Sequence, residues 1–346
     1  MNIFKYLILL KYDSMQNCFL SFYTVFSAKY CLFCFWHNVF RTKCPNFAQN
    51  QNLMKLKYFT ALLFIVLIFQ NCIPKEEIPD NKEEGNYITR IFEYVYAPGQ
   101  HASLALPADT VYFKGNPSLH SKWVYLGGFG GYISGAFEHN VVNSDGPDFE
   151  IFALRGSSPE PAIVYVMQDE NGDGFPNETW YELKGSQNDS TLRNYWVRYY
   201  KPEADSANVR WRDSLGETGE LLSAYGAGNS AKWWWASITT DSITFNASRL
   251  PDAYINQSTA QVQLWTVPRD RFQWGYAENI YGTDFDNVKG SNRLDISNAV
   301  DSLGNAVSLP EIRFIKVQTA VFQRAGWTNE VSAEVRGAGE IQPLAP

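Results

Sequence analysis

From Asn86 to the C-terminus the chain is a succession of short apolar runs cut apart by Gly, Pro, Asn and Asp, and this spacing leaves little room for any fold but an all-β one. Runs at Tyr87–Tyr96, Tyr132–His139, Asp148–Leu154, Ala162–Gln168 and Thr179–Leu183 are predicted strands. Further ones lie at Tyr195–Tyr200, Val209–Arg212, Ser242–Asn246, Gln261–Val267, Ile312–Thr319 and Val331–Val335. Helical period is weak, with faint traces at Ala231–Ser237 and Ser297–Leu303. The expectation is a single antiparallel β-sandwich over 87–346, with an elaborated middle and little helix.

The charge and the reactive side chains narrow the chemistry. Lys and Arg number 29 against 36 Asp and Glu, but residues 1–71 hold seven basic residues and only Asp13, so the remainder carries 22 basic against 35 acidic, a net −13. Such a body repels phosphate, which argues against nucleic-acid binding. All five cysteines (Cys18, Cys31, Cys34, Cys44 and Cys72) lie in the first fifth of the chain. The body therefore has no disulfide, thiolate metal site or cysteine nucleophile, and with only His101, His120 and His139 it has little material for a histidine relay.

The N-terminal region reads as a targeting device. Met54-Lys-Leu-Lys57, the apolar run Tyr58–Phe69 and then Gln70-Asn-Cys72 have the charged, apolar and cysteine parts of a lipoprotein signal peptide, residues 54–71. The run is too short to span roughly 30 Å of hydrocarbon. Cys72 is the expected lipidation site, which implies a membrane held through a lipid anchor. Residues 1–53 are read as an upstream extension before the true start at Met54, and the charged, proline-bearing 72–86 as a flexible tether.

Within the body, Asp169-Glu-Asn-Gly-Asp173-Gly places oxygen side chains at alternate positions before a glycine, the pattern of a loop that curls around a hard cation. Asp169, Asn171 and Asp173, with the Phe175 carbonyl, are candidate Ca2+ ligands. Trp180 stands where a helix-loop-helix site places a bidentate Glu, so Asn177, Glu178 or Glu182 must complete the shell. Asn143, Asp145 and Asp148, joined by Glu160, form a possible second metal site, with an Asx-rich turn as the alternative. Ten tryptophans follow residue 86, and because a strand alternates its faces, Trp233-Trp-Trp235 cannot all enter one core. Trp233, Trp234 and Trp235, with Trp265, Trp274 and Tyr276, are therefore candidates for an exposed ligand-binding surface.

Several of these segments together resemble a family, the Bacteroidota-type cell-surface lipoproteins. The resemblance rests on Leu126-Gly-Gly-Phe-Gly-Gly-Tyr132, Phe137-Glu-His139, Asn143-Ser-Asp145-Gly-Pro-Asp148-Phe-Glu-Ile-Phe152, Glu160-Pro161 and Asp169 through Leu183. It resumes at Ile312–Thr319 and Glu330-Val-Ser-Ala-Glu334. It implies a calcium-containing jelly-roll sandwich at the outer-membrane surface, and genes lying near TonB-dependent receptors, including those of vitamin B12 uptake. Asn177-Glu178 stands where the family pattern has paired aspartates, which lowers the charge of the loop. The expected function is a non-enzymatic binder of a small ligand, cobalamin-like or glycan, or a docking partner of a TonB-dependent receptor. A glycan-active hydrolase and a structural adhesion module are the alternatives.

Overall fold

A computed structural model describes residues 86–153, 159–205, 207–222, 233–262, 264–325 and 330–341. The expected upstream extension, signal peptide and lipidation site Cys72, and nearly all of the expected tether, lie outside these residues. Seventeen strands occur among the described residues. In chain order they begin with β1 (Ile88–Val95), β2 (Val124–Gly127), β3 (Tyr132–Val142), β4 (Phe149–Ala153), β5 (Ala162–Met167), β6 (Tyr181–Leu183), β7 (Leu192–Tyr200) and β8 (Val209–Asp213). They continue with β9 (Thr218–Leu221), β10 (Ser242–Arg249), β11 (Ile255–Asn256), β12 (Trp265–Thr266), β13 (Phe285–Asp286), β14 (Ser291–Leu294), β15 (Ala299–Val300), β16 (Glu311–Thr319) and β17 (Ala333–Glu340).

The protein is all-β and built as a sandwich. One sheet has the order β1-β3-β16-β5-β6-β15 and the other β13-β14-β4-β17-β2. Strands β1 to β5 alternate between the two sheets, the crossing pattern of a jelly roll, and the named strand pairings are antiparallel. Alternation along each strand sends one set of side chains inward. Ile133, Val164, Val166, Ile315 and Val317 of the first sheet meet Leu126, Phe149, Ile151, Val335 and Ala338 of the second in one buried core. Each of these Leu, Ile, Val and Phe residues stabilises the fold by roughly 1.5–3 kcal/mol relative to leaving it exposed.

The expected middle elaboration is a separate four-stranded sheet, β10-β7-β8-β9, plus the β11-β12 hairpin. It has its own core, in which Tyr195, Val197, Tyr199 and Phe245 pack with Tyr96, Phe129 and the tryptophan triplet. Two readings change here. Residues 233–237 form a turn segment, and Ile296–Asn298 is a short 3-10 turn followed by β15, so among the described residues neither faint helical trace is an α-helix. Among the described residues of the run Gln261–Val267, the strand is the two-residue β12.

The glycine-rich Leu126–Tyr132 segment joins the layers by close approach. A Cβ on Gly131 would lie 1.8 Å from the Leu126 carbonyl oxygen, so only glycine allows the turn between β2 and β3 to close.

Candidate functional site

A cavity of about 380 Å3 opens beside β8 and β9 and the stretch that follows β16. Trp211, Phe129 and Phe322 supply aromatic walls, Arg249 and Glu217 supply charge of both signs, and the Glu330 carboxyl lies among them. Local packing fixes these groups. The Trp211 indole lies against Gly219, where a Cβ would sit 2.6 Å from its ring, and it meets Phe322 edge-on at 4.8 Å. Arg249 stacks over Tyr195 and Phe322 and donates to the Tyr195 hydroxyl at 3.2 Å. Asp213 is buried and accepts from Tyr195 Oη at 2.6 Å and from the Leu215 and Glu217 N–H groups, so it closes the β8-β9 turn.

Behind this cavity lies a cluster that sequence reasoning did not find. Glu160, Glu278 and Glu334 bring carboxylate oxygens within 4.8 Å of one another, the one such group of potential metal ligands among the described residues. Glu278 and Glu334 are buried, as is Glu330, which also lines the cavity. The backbone assembles them: Glu160 N–H donates to the Glu278 carbonyl, and Glu334 N–H donates to Glu278 Oε2 at 2.5 Å. Gln100 N–H donates to Glu330 Oε1 at 2.6 Å. Glu278 itself sits at φ +53°, a left-handed conformation that non-glycine residues adopt at a cost. At Gly99 a Cβ would fall 2.6 Å from Glu330 Oε2, so the carboxylate occupies space only glycine leaves.

Burial and mutual repulsion favour the neutral acids. Desolvation, then the charge of Glu330, pushes the Glu334 carboxyl up to about 8. Glu160 and Glu278 are raised well above the ordinary carboxylate range by burial and then by Glu334. Glu330 is raised the same way by burial and by Glu160, against the Gln100 N–H. The nearest imidazole, His101 Nε2, is 4.0 Å from Glu334 Oε1, and burial lowers its basicity. The cluster can thus hold protons, and its donor set of clustered carboxylate oxygens suits a hard divalent cation.

The acidic loop folds as one compact hydrogen-bonded turn. Gly174 N–H donates to Asp169, Asp173 N–H to Asn171 Oδ1 and Phe175 N–H to Asp173 Oδ1, while Asn177 Nδ2 donates to Asp173 Oδ2. Asp169, Asn171, Asp173, Asn177 and Glu178 are therefore joined in one turn, with Gly172 and Gly174 at φ +71° and +72°. Asn171 N–H also reaches Glu178 Oε1, at 3.4 Å, while Glu178 Oε2 is buried without a hydrogen-bond partner among the described residues, which fits a ligand position. The Phe175 carbonyl accepts from Asn177 N–H, and Arg313 lies 3.8 Å from Asp169 as a competing cation.

Other expectations need correction. Glu182 is not part of the loop: on β6 it is buried against Arg193, at 2.6 Å, and the Ser248 hydroxyl. Glu160 does not join Asn143, Asp145 and Asp148. Asp148 instead closes a local turn by accepting from Ser144 N–H and Ser144 Oγ and also accepts from Ile296 N–H, while Asn143 bonds to the distant Leu309 and Ser297. Trp233, Trp234 and Trp235 are 0%, 7% and 6% exposed, and Tyr276 is 1% exposed, so they form no surface platform. Trp234 and Trp235 donate to the Ile238 and Ala105 carbonyls. Trp265 and Trp274 are half-buried, the latter beside a second cavity of about 430 Å3 with Gln187 and Asp189.

Compared with known proteins, the chain matches no family model and no curated protein.

Proposed function

We propose that the body is a non-enzymatic, lipid-anchored surface protein that takes a small ligand in the Trp211 cavity, with calcium at the 169–178 loop stabilising the sandwich. One observation carries the ligand reading: the cavity joins aromatic faces to fixed charged groups, the mixed lining through which proteins hold small polar ligands. Its volume of about 380 Å3 is near the lower end of the roughly 300–1,000 Å3 of ligand pockets. A glycan unit suits that space, whereas a corrinoid could lie only across its mouth. Delivery to, or docking on, a TonB-dependent outer-membrane receptor is the role that the resemblance adds.

A hydrolase is the second reading, because Glu330, a carboxyl whose proton affinity burial raises, faces the same cavity that Glu217 and Glu220 line. Isothermal titration of the intact protein with cyanocobalamin and with a panel of oligosaccharides separates these readings. Saturable glycan binding without cleavage, weakened by about 1–3 kcal/mol in W211A, supports the binder. Cleavage of the glycan moves the assignment to the hydrolase, and unchanged affinity in W211A removes the cavity from either.

A further inference from the structure

On β16 the inward residues Ile315 and Val317 enter the sandwich core, so alternation turns Lys316 to the sheet's other face. There it lies in a cross-strand row. Ser134 of β3 and Tyr165 of β5 are its register partners, with Glu93 of β1 opposite Ser134 and Glu182 of β6 opposite Tyr165. Residues directly opposite in antiparallel strands share a face. Lys316 Nζ sits 4.6 Å from the Tyr165 ring centre, 4.9 Å from that of Trp180 and 5.8 Å from that of Tyr132. Glu93 accepts from the Tyr132 hydroxyl at 3.3 Å. Beside the lysine the Ser134 hydroxyl is buried, at 1% residue exposure, and has no hydrogen-bond partner among the described residues.

Three rings strip water from the ammonium and return only part of its hydration energy as cation–π attraction. Burial accordingly lowers the Lys316 amine from 10.5 to about 8, against the opposing pull of Glu93. About a tenth is then the free amine at pH 7, where an ordinary lysine is almost wholly protonated. Neutral amines are nucleophiles, and a lysine desolvated by aromatic rings beside a spare hydroxyl can form a Schiff base.

We propose that Lys316 is an amine nucleophile that captures small aldehydes as imines inside the Tyr132–Tyr165–Trp180 cage, with Ser134 positioning the adduct. The Nζ lone pair forms a bond to the carbonyl carbon while the C=O π pair moves to oxygen. A proton passes from nitrogen to that oxygen, giving a carbinolamine whose hydroxyl Ser134 can bond. Protonation and departure of that hydroxyl as water leave a C=N bond, and the protonated imine is again a cation that the rings hold. No oxidant or reductant enters the step.

The test uses the full chain with limiting acetaldehyde and cyanoborohydride, which traps the imine as an N-ethyl group read by peptide mass spectrometry. The expected result at pH 7 is ethylation of Lys316 about tenfold faster than of the exposed Lys201, with a rate that rises through a midpoint near pH 8. S134A should slow labelling severalfold without moving that midpoint, whereas W180L should move it upward. Labelling of Lys316 no faster than that of Lys201 at pH 7, or a rate still climbing steeply beyond pH 10, overturns the proposal without recourse to any variant.

Discussion

Replacing Glu334 with glutamine tests the buried cluster most directly. The folded state raises this carboxyl from 4.5 to about 8. A raised acid binds its proton more tightly when folded, so its favourable contribution is complete below pH 4.5, is lost as pH climbs towards 8, and stays lost above that. At about 1.4 kcal/mol per pH unit, the span from 4.5 to about 8 amounts to at most about 5 kcal/mol. Glu160, Glu278 and Glu330 are raised too and act in the same direction. The lowered carboxyls Asp173, Asp286 and Asp301 act below the ordinary 3.8 and leave this window alone. Chelator-treated protein should therefore lose stability between pH 5 and 8, and E334Q should be more stable than wild type at pH 8 by up to about 5 kcal/mol and equal to it near pH 4. Urea unfolding with an unchanged m-value provides the measurement. A wild-type stability that is flat or rising between pH 5 and 8, or an E334Q slope equal to that of wild type, would falsify this account. Saturating calcium supplies a control: a cation among these carboxylates reverses the comparison, because E334Q would then lack a ligand.

Calcium at the 169–178 loop should stabilise the fold by RT ln(1 + [L]/Kd), about 2.7 kcal/mol at a hundredfold excess over Kd. D173N should remove a loop-specific part of the calcium-induced rise in melting temperature, and an identical rise in the variant refutes the site. For the tryptophan triplet the expected outcome is structural: W233A should cost about 3–5 kcal/mol in urea unfolding, as emptying a large core site does. A loss below about 1 kcal/mol would contradict its complete burial.

What could be read from sequence divides by the range of the interactions involved. The 169–178 loop was legible because its contacts are nearly all local, between residues at most seven apart. The main strands were legible as short apolar runs cut apart by turn residues, buried almost throughout in β4 and β5. The triplet misled because alternation governs only strands, and residues 233–235 lie in a turn segment where successive side chains need not take opposite faces. Glu182 misled for the opposite reason. It is close to the loop in sequence, yet β6 carries it to Arg193, with which it pairs. The glutamate cluster gave no local signal at all. Glu334 stands between Ala333 and Val335, which are both core residues, and alternation alone would turn it to solvent. Only the covering of that face, by chain distant in sequence, makes it buried.

Glu330 gives the cluster and the cavity a common member, and this constrains how a ligand can act. It lines the cavity, it raises the Glu334 carboxyl, and its own proton is favoured by Glu160. A ligand that donates hydroxyl hydrogen bonds to Glu330 stabilises the carboxylate and so drives a proton out of the shared set. By reciprocity, the affinity for such a ligand rises with pH across the range in which the cluster titrates. A cation held by Glu160, Glu278 and Glu334 would act in the same direction, since it also lowers the cost of ionising their neighbour. Calcium and a hydroxylic ligand are therefore expected to bind cooperatively through a single carboxylate, with no movement of the sandwich required.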